Sequence, residues 1–180
     1  RDYKVTGVQT CALPICDNKA SVKNKSSITP CLWFDGDAEE AAAFYVSLLP
    51  DSRIERVLRS PMDWPAGKAG DVLTVEFALG GQDYLALNGG PGHPFNDAVS
   101  FQIHCADQAE VDRLWEALKP GGEEIACSWI RDRWGLRWQI VPTRLTELMH
   151  DPDPDRARRA MAAMVRMVKI DIAVLEAAVR

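Results

Sequence analysis

The chain has 180 residues, 47% of them hydrophobic and 26% charged, and a formal net charge of −5. That length suits one compact domain or two small modules sharing a core. No apolar run nears the ~20 residues that a membrane-spanning helix needs, and the acidic balance argues against nonspecific binding to nucleic acid or anionic membrane.

Val5 to Ile15 reads as the in-frame translation of a sequencing-adapter oligonucleotide. A signal peptide is disfavoured, since no apolar core segment lies between Arg1 and Cys16. Asp17 to Ser27 is polar and reads as disordered. Residues 1–27 are therefore set apart as a leader; they hold five basic and two acidic side chains, so the remainder carries −8. The cysteines left are Cys31, Cys105 and Cys127, without paired CxxC spacing. Free thiols in a reducing cytoplasm is the plain reading, with neither a zinc site nor a disulfide framework.

Ile28, Pro30, Leu32 and Phe34 alternate with Thr29, Cys31 and Trp33, the period of a strand with one face in a core. Asp37-Ala38-Glu39-Glu40 follows as a capping box. Ala41, Phe44, Tyr45 and Leu48 then form the stripe of an amphipathic helix that ends near Pro50. Ser52 to Ser60 reads as a strand and Pro61 to Gly67 as a loop. Val72 to Leu79 alternates again, and Gly80-Gly81 turns it into a hairpin returning through Tyr84 to Asn88. Gly89 to Pro94 is a linker; it fails as a phosphate loop because neither a helix nor a Lys-Ser/Thr pair follows it.

The same order then repeats 70 residues on. Val99, Phe101, Ile103 and Cys105 oppose Ser100, Gln102 and His104. Asp107-Gln108-Ala109-Glu110 is a second capping box, and Val111, Leu114, Trp115 and Leu118 a second stripe. Pro120-Gly121-Gly122 turns the chain into a strand from Glu124 to Arg131. Asp132-Arg133-Trp134-Gly135 precedes the last strand, Leu136 to Val141. Beyond the repeat, Asp153-Pro154 starts a helix. Ala157, Met161, Met164, Val168, Ile172, Leu175 and Val179 continue it as one long stripe, packed on the body or against a second subunit. The expected divisions are a first βαβββ module over 28–90, a second over 91–142 and a helical extension over 143–180. The expected architecture is α+β, a curved mixed sheet around a cavity plus a long C-terminal helix.

Strand-helix-three strands, twice, resembles the vicinal oxygen chelate superfamily, the fold of glyoxalase I and bleomycin-resistance proteins. Ile28 to Ala41, Leu85 to Gly90, Val99 to Gln102 and Asp132 to Gln139 more narrowly resemble the PhnB-like family. Some of its members are labelled 3-demethylubiquinone-9 3-methyltransferase, but this chain lacks the strand and Gly-rich turn that would hold S-adenosylmethionine. The resemblance implies that four inward-pointing His, Glu or Gln side chains would hold a divalent metal. Register from the first helix places those positions at Thr29, Ala86 (or Asn88 one pleat on), Ser100 and Gln139. Thr, Ala and Ser are poor ligands, so no metal and no other cofactor is expected.

The inward faces then offer Cys31, Trp33, Asn88, Gln102, Trp129, Arg137 and Gln139 to a small, aromatic or anionic ligand. His104 and Glu76 are the weak candidates for acid-base work, and Cys31 reads as a buried, inert thiol. The leading expectation is a metal-free, cytoplasmic small-molecule-binding protein, a homodimer without nucleic-acid or membrane partners. The alternative is a lyase or isomerase acting on a small carbonyl or oxygen-rich substrate. A third reading makes the C-terminal helix an assembly device.

Overall fold

The computed structural model describes residues 27–180, so the reading of residues 1–26 lies outside the described residues. The first module runs β1 (Cys31–Phe34), α1 (Ala38–Leu48), β2 (Arg53–Arg59), β3 (Val72–Leu79) and β4 (Gln82–Asn88). The second runs β5 (Ser100–Cys105), α2 (Gln108–Leu118), β6 (Glu123–Glu124), β7 (Trp129–Arg131) and β8 (Arg137–Pro142). Their sheet orders match, β1-β4-β3-β2 and β5-β8-β7-β6, each first strand lying parallel to the last of its module. The fold is the expected α+β repeat. The described residues form two separate four-stranded mixed sheets rather than one curved sheet, and neither closes. The single strand expected over Glu124 to Arg131 is two, because a turn at Cys127–Ser128 interrupts it.

One face of each sheet carries a helix. Leu32, Phe34, Val75, Phe77 and Ala86 are buried with Ala41, Ala42, Tyr45 and Leu48 of α1. Ile103, Cys105, Ile130, Trp138 and Ile140 are buried with Val111, Leu114, Trp115 and Leu118 of α2. The two halves form one core, joined by a run of rings: Tyr84 to Phe101 at 5.1 Å, Phe101 to Trp138 at 5.5 Å and Trp138 to Tyr45 at 5.1 Å. Offset and edge-on pairs of this kind add to the area they bury.

The two helices start differently despite like sequences. Asp107 accepts from the Glu110 amide at 2.9 Å, and Glu110 reaches back to the Ala106 amide at 2.8 Å, a reciprocal box displaced by one residue. Asp37 makes no capping bond. Asn88, 6% exposed, replaces it: its Oδ1 accepts from the Ala38 amide and its Nδ2 donates to the Val72 carbonyl, both at 2.9 Å.

Asp132, 2% exposed, lies between the modules. Its carboxylate accepts from the Tyr45 hydroxyl at 2.7 Å, Trp138 Nε1 at 2.8 Å, the Trp134 amide at 2.9 Å and the Leu136 amide at 3.0 Å. Burial, with this carboxylate beside it, pushes the Tyr45 phenol far above its usual range.

The extension departs from expectation. In place of one long helix there are three short ones, α3 (Thr143–Met149), α4 (Pro154–Met164) and α5 (Ile172–Ala178). Asp153 does cap α4, with Pro154 in the first turn. Of the expected stripe, Met161 and Val168 are 51% and 49% exposed, while Leu175 and Val179 enter a second core with Val141, Leu145, Leu148, Ala160 and Ile170. The stripe breaks at 165–171, where a turn and an irregular stretch run along α2 and the β6–β7 turn. There Gln108 Nε2 donates to the Ile170 carbonyl at 3.1 Å and its Oε1 accepts from the Ile172 amide at 2.9 Å. Lys169 Nζ pairs with Asp112 at 2.7 Å.

Asp132→Ala strands the Tyr45 hydroxyl and the Trp138 N–H, and should cost roughly 3–5 kcal/mol in urea unfolding, against about 2 for Tyr45→Phe, which leaves Asp132 three donors. The Lys169 ammonium holds Asp112 below the usual carboxylate range, and Asp112 in turn raises Lys169. Asp112's contribution is therefore complete above about pH 4 and fades as pH falls through its depressed folded value, whereas that of Lys169 is complete below about pH 10 and fades as pH rises through its raised one. Leu175 and Val179 methyl signals should report docking of α5 that is flat near neutrality, with an acid-side loss absent in Asp112→Asn.

Candidate functional site

The face of the second sheet that α2 leaves open collects most of the expected ligand-binding residues. Cross-strand register aligns Trp129, Gln139 and Gln102 in one row over β7, β8 and β5. The next row is Arg131, Arg137 and Ser100, and His104 lies beside Val141 on the other side. Their neighbours Ile103, Ile130, Trp138 and Ile140 point into the core, so alternation alone aims the polar set outward. Gln139 Nε2 donates to Ser100 Oγ at 2.8 Å. Arg137 Nε pairs with Asp97 and a second nitrogen donates to the Gly135 carbonyl, which fixes a half-buried guanidinium on this face. Among the described residues, the side chains of Gln102, His104 and Trp129 have no hydrogen-bond partner. Arg131, paired with Glu123 at 2.6 Å, belongs here too. It went unread, although its position two residues after Trp129 is the signal that would have found it.

The open face of the first sheet differs. Cys31, Leu85, Glu76 and Arg56 share one row; Trp33, Leu87, Thr74 and Leu58 share the next. Glu76 pairs with Arg56. Cys31 is exposed rather than buried, the reverse of expectation, because its register partner is Leu85 on the helix-free side. Partial burial nonetheless pushes its thiol upward. Trp33 is half-buried: its Nε1 donates to the Gly90 carbonyl at 2.7 Å, and the His93 ring lies edge-on at 4.6 Å. A Cβ at Gly89 would sit 2.2 Å from the indole, so only glycine lets the linker fold over Trp33. That packing consumes the donor and one side of a ring expected to stack on ligand.

Two register assignments need correction. Ala86 is fully buried and Asn88 nearly so, both on the face that carries α1. The outward residues of β4 are Leu85 and Leu87, and Asn88 is a helix cap rather than a ligand contact. Nor do the acid-base candidates meet in one cavity. Glu76 lines one of about 310 Å³ with Thr29, Arg56 and Leu85, whereas His104 and Gln102 line another of about 400 Å³ at the seam between modules.

The donor set does not fit a divalent metal. Thr29 precedes β1, Ala86 lies under α1, Ser100 and Gln139 bond to each other, and substituting Leu85 or Leu87 for Ala86 supplies no donor. Among the described residues no group of three His, Cys, Asp or Glu side chains could hold an ion. One Gln with two hydroxyls is too weak a set for a transition metal.

Paired βαβββ modules with open sheet faces define a vicinal-oxygen-chelate-type fold. The family model described as 3-demethylubiquinone-9 3-methyltransferase matches residues 26–141. A PhnB protein from Bacillus cereus, provisionally described as that same methyltransferase, is 31% identical over 64% of this chain and 98% of its own, with a TM-score of 0.58. A Pseudomonas aeruginosa protein of known structure is 24% identical over 64% of this chain and 96% of its own, at a TM-score of 0.52. None of the curated proteins compared matches. The chain belongs to the PhnB-like family of the vicinal oxygen chelate superfamily. The family model stops before α3, so the three-helix extension lies past its end.

The cysteines give a direct check on the geometry. Cys105 is buried, and burial followed by the nearby Glu110 carboxylate pushes its thiol up to about 12. At about pH 8 a disulfide reagent should modify Cys31 no faster than free cysteine, and Cys105 only on unfolding. A Cys31 rate far above that of free cysteine would instead mark it as an activated nucleophile.

Proposed function

We propose that this chain binds a small anionic or aromatic, oxygen-rich molecule on the open face of its second sheet, without a resident metal. The observation that carries the reading is the juxtaposition, on one side of β5, β7 and β8, of a fixed guanidinium (Arg137), two amides (Gln102, Gln139) and an indole whose N–H is unused (Trp129). A guanidinium and amides select oxygen acceptors, while an indole supplies stacking area. His104 borders this set as a further polar contact. The first sheet's face, with Leu58, Leu85, Leu87 and Cys31, contributes apolar surface, and two copies closing over these faces would exclude water from the ligand. A homodimer is part of the proposal.

Binding is favoured over turnover by the separation of His104 from Glu76, which leaves no acid-base pair in one cavity of the chain. Methyl transfer fits poorly: the glycines of the linker, Gly89, Gly90 and Gly92, lead into β5 and not into a helix whose start could hold a cofactor.

The test is a fluorescence titration of the full chain with 4-hydroxybenzoate as a probe of aromatic oxyanions, with metal content measured on chelator-free protein. Saturable quenching is expected in wild type, lost in Trp129→Phe and weakened at least about tenfold in Arg137→Ala, the loss of one charge-assisted contact. The wild-type protein should sediment as a dimer and carry no stoichiometric metal. Quenching that survives both substitutions would move the site elsewhere, and a stoichiometric transition metal would overturn the metal-free reading.

A further inference from the structure

The extension meets the body through main-chain bonds at the turn between β6 and β7. Cys127 and Ser128 are the central residues of that turn, which the Trp129 amide closes onto the Ala126 carbonyl at 3.3 Å. Both take positive φ, +59° and +69°. A turn of that shape ordinarily calls for Asn-Gly or Asp-Gly, because other side chains crowd the backbone there. Neither residue here suits it, so something outside the turn must hold it.

Ser128 is tied on one side to β8, its Oγ donating to the Ile140 carbonyl and its carbonyl accepting from the Ile140 amide, and on the other side the irregular segment 165–171 adds support. The Cys127 and Ser128 amides, aimed the same way by their shared conformation, donate to the Met167 and Val168 carbonyls at 2.8 Å each. Those carbonyls are fixed in turn by the Gln108 amide, which grips both sides of Asp171, and by the Lys169–Asp112 pair. The residue that leaves the turn is Trp129.

We propose that residues 165–171 are a strap that holds the 126–129 turn in its unfavoured shape, with Gln108 as the positioning residue that thereby sets Trp129 on the open face of the second sheet. Release of the strap removes both amide contacts and leaves Ser128 held by Ile140 alone, so that Cys127 relaxes toward negative φ and the first residue of β7 shifts with the turn. Strap docking and the pose of Trp129 are one equilibrium, so whatever biases one biases the other. The consequence for ligand rests on the proposed face; the strap's hold on Trp129 does not.

The experiment uses the full chain labelled with 5-fluorotryptophan, its fluorine resonances assigned by single Trp→Phe variants. Gln108→Leu should shift and broaden the Trp129 line while Trp33 and Trp64, in the first module, hold theirs. Adding Cys127→Asn and Ser128→Gly, a turn sequence that takes this shape unaided, should return Trp129 to its original position with the strap still loose. Lys169→Ala releases the strap more gently and should move the same line in the same direction, should Gln108→Leu not fold. A Trp129 line that stays put when amide exchange shows 165–171 to be released would overturn the proposal. So would changes that spread to Trp33 and Trp64 and ignore the replaced turn. A face that binds no probe would leave these spectra unaltered, so the two readings fail separately.

Discussion

A buried carboxylate with four donors holds the two halves of this molecule in register. Removing Asp132 from water is costly unless its lone pairs are filled, and they are filled from both modules: Tyr45 from α1, and Trp138 with two amides from the β7–β8 turn. Only one placement of α1 against that turn satisfies the whole set. This placement turns the helices inward and leaves both sheets with an uncovered face. The aromatic run from Tyr84 to Tyr45 adds area to the seam, but rings can slide where a four-donor carboxylate cannot.

How much of this could be read from residues alone varied with the contrast between faces. In β5 and β8, Gln102, His104 and Gln139 alternate with Ile103, Trp138 and Ile140, so the outward set was legible. In β4 the run Leu85-Ala86-Leu87 is apolar on both faces. Alternation there carries no direction, and the assignment came out one residue off. The helix starts illustrate a different limit. Asp37 and Asp107 open like sequences, yet the first helix is capped by a side chain 50 residues away, which local spacing cannot report. In the extension a sound 3.6-residue stripe was overridden by demand for main-chain carbonyls: Met167 and Val168 serve the β6–β7 turn, and a carbonyl committed to another segment cannot also close a helix.

The modules share topology but not chemistry. The open face of the first mixes Leu58, Leu85 and Leu87 with the Arg53–Glu55 and Arg56–Glu76 pairs and Asp83, and its tryptophan is covered by the linker. That of the second carries guanidinium, amide, imidazole and indole groups, of which Gln102, His104 and Trp129 have no hydrogen-bond partner among the described residues. The superfamily's four-ligand arrangement needs donors from both modules, whereas here the first module offers Thr29 and aliphatic side chains at the corresponding strands.

The long reach of the Tyr45–Asp132 bond also sets an order for biosynthesis. Tyr45 leaves the ribosome 87 residues before its acceptor, and β1 must wait for β4 before its edge is paired. Until the second module has been made, the nascent first module carries a phenol without its acceptor and an aromatic seam without its other wall. The second module meets a finished surface and needs only to close on it. The direction of translation therefore leaves the apolar seam of the N-terminal half uncovered until the C-terminal half has been made.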